Sequence, residues 1–298
     1  MITTKDILVP LDVPKKAKTA YAKNYFELTQ GSGNLFLLAG DQKIEHLNDD
    51  FSGPGIATDD ADPEHLFRVA EEGYVGALAT QMGLIARYGG SYPDLRYVVK
   101  LNSKTNLVPV SERDPESAEL TSVKDVVAFA RETKLKILGI GFTLLIGSEY
   151  EAEMLREAAE AVRDAHENGL VAVIWAYPRG KAIKKKNDAH LVAGAAGVAA
   201  SLGADFTKID APDDVSLLTE AVKAAGRTKV ICAGGKSRDP KDFLARLTEE
   251  MKAGAWGTAV GRNVHQKSLG EAVKMCHAIR SLVIDRKPLE DALQFLAK

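Results

Sequence analysis

The sequence predicts a TIM-type (β/α)8 barrel carrying an N-terminal extension, and three observations support this. Eight short apolar runs alternate with segments of helical spacing along the 298 residues. The runs are continuously apolar rather than alternating, as strands of a parallel sheet covered on both faces must be. Eight such units in roughly 260 residues suit a closed barrel better than a doubly wound open sheet. No G-x-G-x-x-G motif opens the first helix, which argues against a dinucleotide site.

Residues 1–33 carry Pro10, Pro14 and a mixed helical stretch from Lys16 to Gln30. They are expected to pack against the main body, with the barrel occupying residues 34–298. The first strand is Asn34 to Gly40, followed by a polar loop and a helix over Pro63–Gly73 that starts after Asp62, a suitable N-cap. Val75–Gln81 is the second strand, with a helical piece at Met82–Tyr88. Tyr97–Leu101 is the third, and a helix over Val123–Thr133 is capped by Thr121 or Ser122. Ile137–Gly147 is the fourth strand. The strongest helix, Tyr150–Asn168, is rich in Ala, Glu and Leu, with Ser148 as its cap and Gly169 as its stop.

Leu170–Ala176 is the fifth strand, Ala189–Leu202 a small-residue helix, and Ala204–Asp210 the sixth strand. A helix over Asp214–Ala225 leads to the seventh strand, Lys229–Ala233. Another over Pro240–Ala253 leads to the eighth, Trp256–Val260. Helices over Ser268–Asp285 and Leu289–Ala297 close the chain.

Composition narrows the function. Hydrophobic residues at 45% and charged residues at 27% are those of an ordinary soluble globular protein. A formal net charge of -2 gives no basic footprint, so no nucleic-acid partner is expected. The run Lys184–Lys186 reads as a solvated turn. No uninterrupted apolar run approaches membrane-spanning length and no signal-peptide core opens the chain, so a cytoplasmic protein with no membrane partner is expected. Cys232 and Cys276 have neither metal-type spacing nor a disulfide pattern and read as small core residues.

In such a barrel the functional site lies at the carboxyl ends of the strands. Asp41, Gln42, Lys43, Glu45 and His46 follow the first strand, and Asn102, Ser103 and Lys104 the third. Trp175, Tyr177, Pro178, Arg179 and Gly180 come at the end of the fifth, Gly234, Gly235 and Lys236 after the seventh, and Gly261, Arg262 and Asn263 after the eighth. Glycine-rich turns after strands seven and eight leave backbone N–H groups free to cradle a phosphate. Of the six histidines only His46 falls in a strand-end loop. A zinc site needs about three converging ligands, which cannot be assembled, so no metal and no other cofactor is expected.

Lys208 stands out because it interrupts an apolar strand. A buried ammonium is costly unless paired. Either Lys208 snorkels or pairs with Asp41, Asp205 or Asp210, or desolvation leaves it partly neutral, a nucleophile able to form a Schiff base with a ketone. Tyr177 is either a core aromatic or an acid beside that amine. Asp41 is either a helix cap or a proton acceptor.

The set Asp41 to His46, Trp175-Ala176-Tyr177-Pro178-Arg179-Gly180, Gly203 to Lys208, Ala233-Gly234-Gly235 and Gly261-Arg262-Asn263 resembles the archaeal-type class I fructose-bisphosphate aldolases. That group includes relatives that make an aminodideoxyheptulosonate. The resemblance runs from about Asn34 to Asp285. It implies Lys208 as Schiff-base nucleophile, Tyr177 as proton donor and Asp41 as proton acceptor. It further implies that Gly234, Gly235, Gly261 and Arg262 hold a phosphate, and that the chain forms a homo-oligomer. Gln42, His46, Trp175, Arg179 and Lys236 complete the expected binding set for a phosphorylated ketose. The chain departs from the family's Asp-His-Gly after the first strand, where Gln42 and Lys43 follow Asp41.

The expected reaction is reversible cleavage of fructose 1,6-bisphosphate to dihydroxyacetone phosphate and glyceraldehyde 3-phosphate. The alternatives are an aminodideoxyheptulosonate synthase-like transaldolase and a phosphosugar-binding barrel without catalysis.

Overall fold

The computed structural model describes residues 1–297 and contains a closed barrel of eight parallel strands. In chain order they are β1 (Leu35–Ala39), β2 (Ala77–Thr80), β3 (Arg96–Lys100) and β4 (Lys136–Ile146). They continue with β5 (Val171–Pro178), β6 (Phe206–Ile209), β7 (Lys229–Ala233) and β8 (Gly257–Val260). Each strand pairs with its sequence neighbours, and β1 closes on β8 with Leu35 opposite Gly257 and Leu38 opposite Val260. Every residue of β1, β2, β5, β6 and β8 is buried. That is why these segments carry no period-two pattern in the sequence.

Helices cover the outside between successive strands. The helix Val123–Thr133 begins with a capping box at Ser122 and Asp125, and Pro240–Lys252 begins on the Asp239 side chain with proline at its first position. Ser148 does not cap the helix after β4. That helix runs Glu151–Glu167 from Tyr150, and the Ser148 hydroxyl instead donates to Pro115 O at 2.6 Å. The segment expected as one helix from Asp214 is a 3-10 turn, Val215–Leu217, followed by Leu218–Ala225. β5 extends two residues beyond the expected Ala176, so Tyr177 is a strand residue, held by parallel pairing of Leu145 with Tyr177 and Ile146 with Pro178. This fixes its direction more firmly than a loop would.

The helix Lys18–Leu28, in the segment before β1, reaches the amino ends of the strands. Tyr21 donates to Asp205 Oδ1 at 2.5 Å, Asn24 to Gly169 O at 2.8 Å, and Tyr25 stacks on Phe206. Behind Tyr21, the fully buried His166 lies between Asp12 (2.7 Å) and Asp205 (3.2 Å). Burial alone would lower the His166 pKa, but its hydrogen bonds to and the charges of Asp205 and Asp12 outweigh that and lift it to about 9. Asp205 thus belongs to the end of the barrel opposite the strand-end loops.

No helix among the described residues is long and apolar enough to cross a membrane. Cys232 and Cys276 are buried free thiols, and Lys184–Lys186 is an exposed turn.

Candidate active site

The carboxyl ends of the strands surround a polar cleft, at the place where a barrel of this kind binds its ligand. Asp41, Gln42 and His46 line it from the β1 loop, Trp175, Tyr177 and Arg179 from β5, and Lys208 from β6. Gly234, Gly235, Gly261 and Arg262 line it from the β7 and β8 turns. Of the expected binding set only Lys236 stands apart. It is exposed and lines an adjoining cavity outside the cleft proper.

Lys208 pairs in register with Trp175, which directs both side chains into the barrel. Its ammonium lies 5.1 Å from the Trp175 ring and makes no hydrogen bond or ion pair among the described residues. The ion pairs considered for it go elsewhere. Asp205 is bound to Tyr21 and His166, and Asp210 pairs with Arg179 at 3.2 Å. Burial pushes the Lys208 amine below the ordinary lysine value, while Asp41, Asp210 and Glu45 pull it back up. The result is an amine that opens into the cleft with its lone pair uncommitted once it loses its proton.

A second buried lysine lies across the same indole. Lys100, at the end of β3, is 2% exposed and sits 5.3 Å from the Trp175 ring. Gly141 makes this possible, since any Cβ there would strike the Trp175 ring. Burial lowers the Lys100 amine to about 8, yet it is tied at 2.9 Å to both Asn102 O and Asn102 Oδ1. Asn102 is in turn locked by Thr143 and Ser117. Lys100 is committed, and Lys208 is not.

The Tyr177 hydroxyl has no hydrogen-bond partner among the described residues, and burial, with Asp210 adding to it, raises its pKa well above the ordinary tyrosine value. It therefore stays protonated at any working pH, in the form that can donate. The Arg179 guanidinium lies 5.1 Å from its ring. Asp41 occupies the N-cap position of the short helix Gln42–Glu45, but its side chain caps nothing and Oδ1 is buried without a partner. A buried carboxylate oxygen left unpaired is costly, which sets Asp41 apart from a structural cap.

The two glycine turns are welded together by Asn263, whose Nδ2 donates to Gly234 O (2.8 Å) and Lys236 O (3.0 Å) while its Oδ1 accepts from Arg238 N (2.9 Å). Gly235 sits at φ +69°, the left-handed region that favours glycine. Arg262 lies 3.6 Å from Asp50, whose Oδ2 is also 2.8 Å from His46 Nδ1. Burial would raise the Asp50 carboxyl, but the nearby His46 and the surrounding positive groups hold it below the ordinary range.

Sequence reasoning gave Glu45 and Asp210 no role in the binding set, and missed Lys100 as a neighbour of the site and His265 beside it. Lys100 had the same signal as Lys208, a lysine inside an apolar strand.

The comparisons agree with this geometry. Residues 35–267 match the model of the DeoC/LacD family aldolases. A protein of Methanocaldococcus jannaschii named fructose-bisphosphate aldolase/6-deoxy-5-ketofructose 1-phosphate synthase is 55% identical over 294 residues, covering 97% of this chain and 94% of the relative. A solved fructose-bisphosphate aldolase from Slackia heliotrinireducens superposes with TM-score 0.97 at 47% identity, covering 99% of this chain and 95% of that one. An archaeal fructose-1,6-bisphosphate aldolase, solved with its catalytic lysine covalently bound to the carbinolamine intermediate of the substrate, gives TM-score 0.78 at 33% identity, covering 89% of this chain and 99% of that one. A buried, unpaired strand lysine in a polar cleft of a (β/α)8 barrel is thus seen in a chain that belongs to the DeoC/LacD family of aldolases.

Proposed function

We propose that this chain is a Schiff-base aldolase that reversibly cleaves fructose 1,6-bisphosphate to dihydroxyacetone phosphate and glyceraldehyde 3-phosphate. The observation that supports this most is the Lys208 ammonium, buried yet unpaired, in a cleft it shares with Tyr177, Asp41 and two glycine turns.

Neutral Lys208 adds to the ketose C2 carbonyl, and the proton lost from nitrogen ends on the new C2 oxygen as the carbinolamine forms. Tyr177 protonates that hydroxyl, which leaves as water, and an iminium remains. As the C4 hydroxyl gives its proton to Asp41, the C3–C4 bond breaks, C4 leaves as the aldehyde, and the bonding electrons pass into the iminium to give an enamine. Protonation at C3 and hydrolysis release dihydroxyacetone phosphate and restore the amine. The turns at Gly234–Gly235 and Gly261–Arg262 hold the phosphate and so set the carbonyl against Lys208, which converts a bimolecular encounter into an oriented one.

The enamine also accounts for a second reading, transfer to a different aldehyde. The synthase activity in the name of the 55% identical relative favours it. Quantifying both triose phosphates released from fructose 1,6-bisphosphate, with and without an added unphosphorylated aldehyde acceptor, separates the two. Stoichiometric release supports the aldolase, and loss of free dihydroxyacetone phosphate to a new ketose phosphate supports the transferase. No turnover in either assay would overturn the proposal and leave a barrel that only binds.

A further inference from the structure

Gln42 is where this chain departs from the Asp-His-Gly pattern. Its side-chain oxygen lies 3.3 Å from Nε2 of His265, and His265 Nδ1 lies 2.7 Å from Asp60 Oδ2. His265 and Asp60 are both fully buried, and Asp60 comes from the long loop after β1. Phe51 stacks on the imidazole at 4.8 Å, with Lys43 4.1 Å over the Phe51 ring. The imidazole is therefore held in place, with Nδ1 facing Asp60 Oδ2 and Nε2 facing Gln42 Oε1. A ring nitrogen that faces a carboxamide oxygen does so as a donor. His265 also ends the single helical turn, Arg262–His265, that starts from the β8 phosphate turn, and its N–H donates to Gly261 O at 3.0 Å.

A carboxamide whose oxygen is held by His265 keeps both its N–H donors for the cleft. The Gln42 carboxamide oxygen lies against Gly261, where any Cβ would strike it. Gln42 lines the cleft together with Gly261 and Arg262, so its NH2 is within reach of a group bound at that end.

Building on the aldolase reading above, we propose that Asp60 and His265 are positioning residues that orient Gln42 so that its NH2 donates to the substrate phosphate. Gln42 is then a determinant of selectivity for phosphorylated over unphosphorylated ketoses. No other described residue holds the Gln42 side chain by a hydrogen bond.

Borohydride trapping of Lys208 on the intact protein tests this, comparing dihydroxyacetone phosphate with dihydroxyacetone. Gln42→Ala should raise the half-trapping concentration for the phosphate about tenfold, the size of one charge-assisted hydrogen bond, and leave dihydroxyacetone unchanged. Gln42→Glu, which sets a carboxylate against the phosphate, should cost more. His265→Asn keeps the Asp60 side but falls short of Gln42, and should reproduce Gln42→Ala. His265→Gln, whose amide nitrogen reaches Gln42, should restore most of the selectivity. Added to Gln42→Ala, His265→Asn should have no further effect. Asp60→Asn, which keeps the side-chain shape, carries the same test if His265 variants do not fold. Equal losses with both ketoses, additive losses, or wild-type binding by Gln42→Glu would overturn the proposal. Failure of both ketoses to trap Lys208 in the unaltered protein would instead overturn the Schiff-base reading.

Discussion

Replacing Tyr177 with phenylalanine separates chemistry from packing. The hydroxyl lies on β5, the strand hydrogen-bonded to the one carrying Lys208, and it has no hydrogen-bond partner among the described residues. If it is the acid that expels water from the carbinolamine, its loss should lower kcat by at least about 10²-fold, the lower end of what a positioned acid contributes. That corresponds to about 2.7 kcal/mol on the barrier. Stability should not fall with it. The hydroxyl faces the cleft and makes no hydrogen bond to another described residue, so removing it breaks no protein contact and should leave Tm near the wild-type value. Affinity for phosphate should barely change, because the proposed function places the anion at the β7 and β8 turns. The assay is kcat and Tm on one preparation, with inorganic phosphate competition as the binding control. A Tyr177→Phe protein that melts lower and turns over at the wild-type rate would refute the reasoning and return Tyr177 to the core.

Three further outcomes follow from the geometry. Among the described residues no group of three or more His, Cys, Asp or Glu side chains is arranged to hold a metal, so activity should survive exhaustive EDTA treatment; loss restored by Zn²⁺ would contradict this. His166 has its pKa raised to about 9 from an ordinary 6.5, so its charged pairing with Asp205 and Asp12 stabilises the fold fully below pH 6.5 and is lost as pH rises through 9. The stability gap between wild type and His166→Gln, at most about 3 kcal/mol, should therefore shrink on going from pH 6 to pH 9.5, as followed by urea unfolding. Because burial lowers the Lys208 pKa and only the neutral amine attacks, trapping should slow as pH falls, while a rate independent of pH would contradict a titrating amine.

The fold was legible because the barrel strands are short apolar runs, six of the eight closed by Gly, Asp or Pro, a pattern set by burial on both faces. The site residues were legible for the same reason, since Asp41 and the Gly234 and Gly261 turns fall where apolar runs stop and Lys208 interrupts one. What the sequence hid depends on contacts across the barrel. His265 sits on a single helical turn whose meaning comes from Asp60, 205 residues away, and Gln42, 223 residues away. Nor does spacing reveal that Asp205 faces the opposite end from Lys208. The strand between them places one at the amino end beside Tyr21 and the other within the cleft. The extra length of β5 was obscured by Pro178, which reads as a loop signal but here ends a strand.

The central claim is that Lys208 is the covalent residue, and peptide mass spectrometry after borohydride reduction with dihydroxyacetone phosphate tests it most directly. The account predicts one reduced adduct, on the peptide containing Lys208, and none in Lys208→Arg, whose guanidinium stays protonated. An adduct on Lys100 or Lys236, or one that persists in Lys208→Arg, would contradict it.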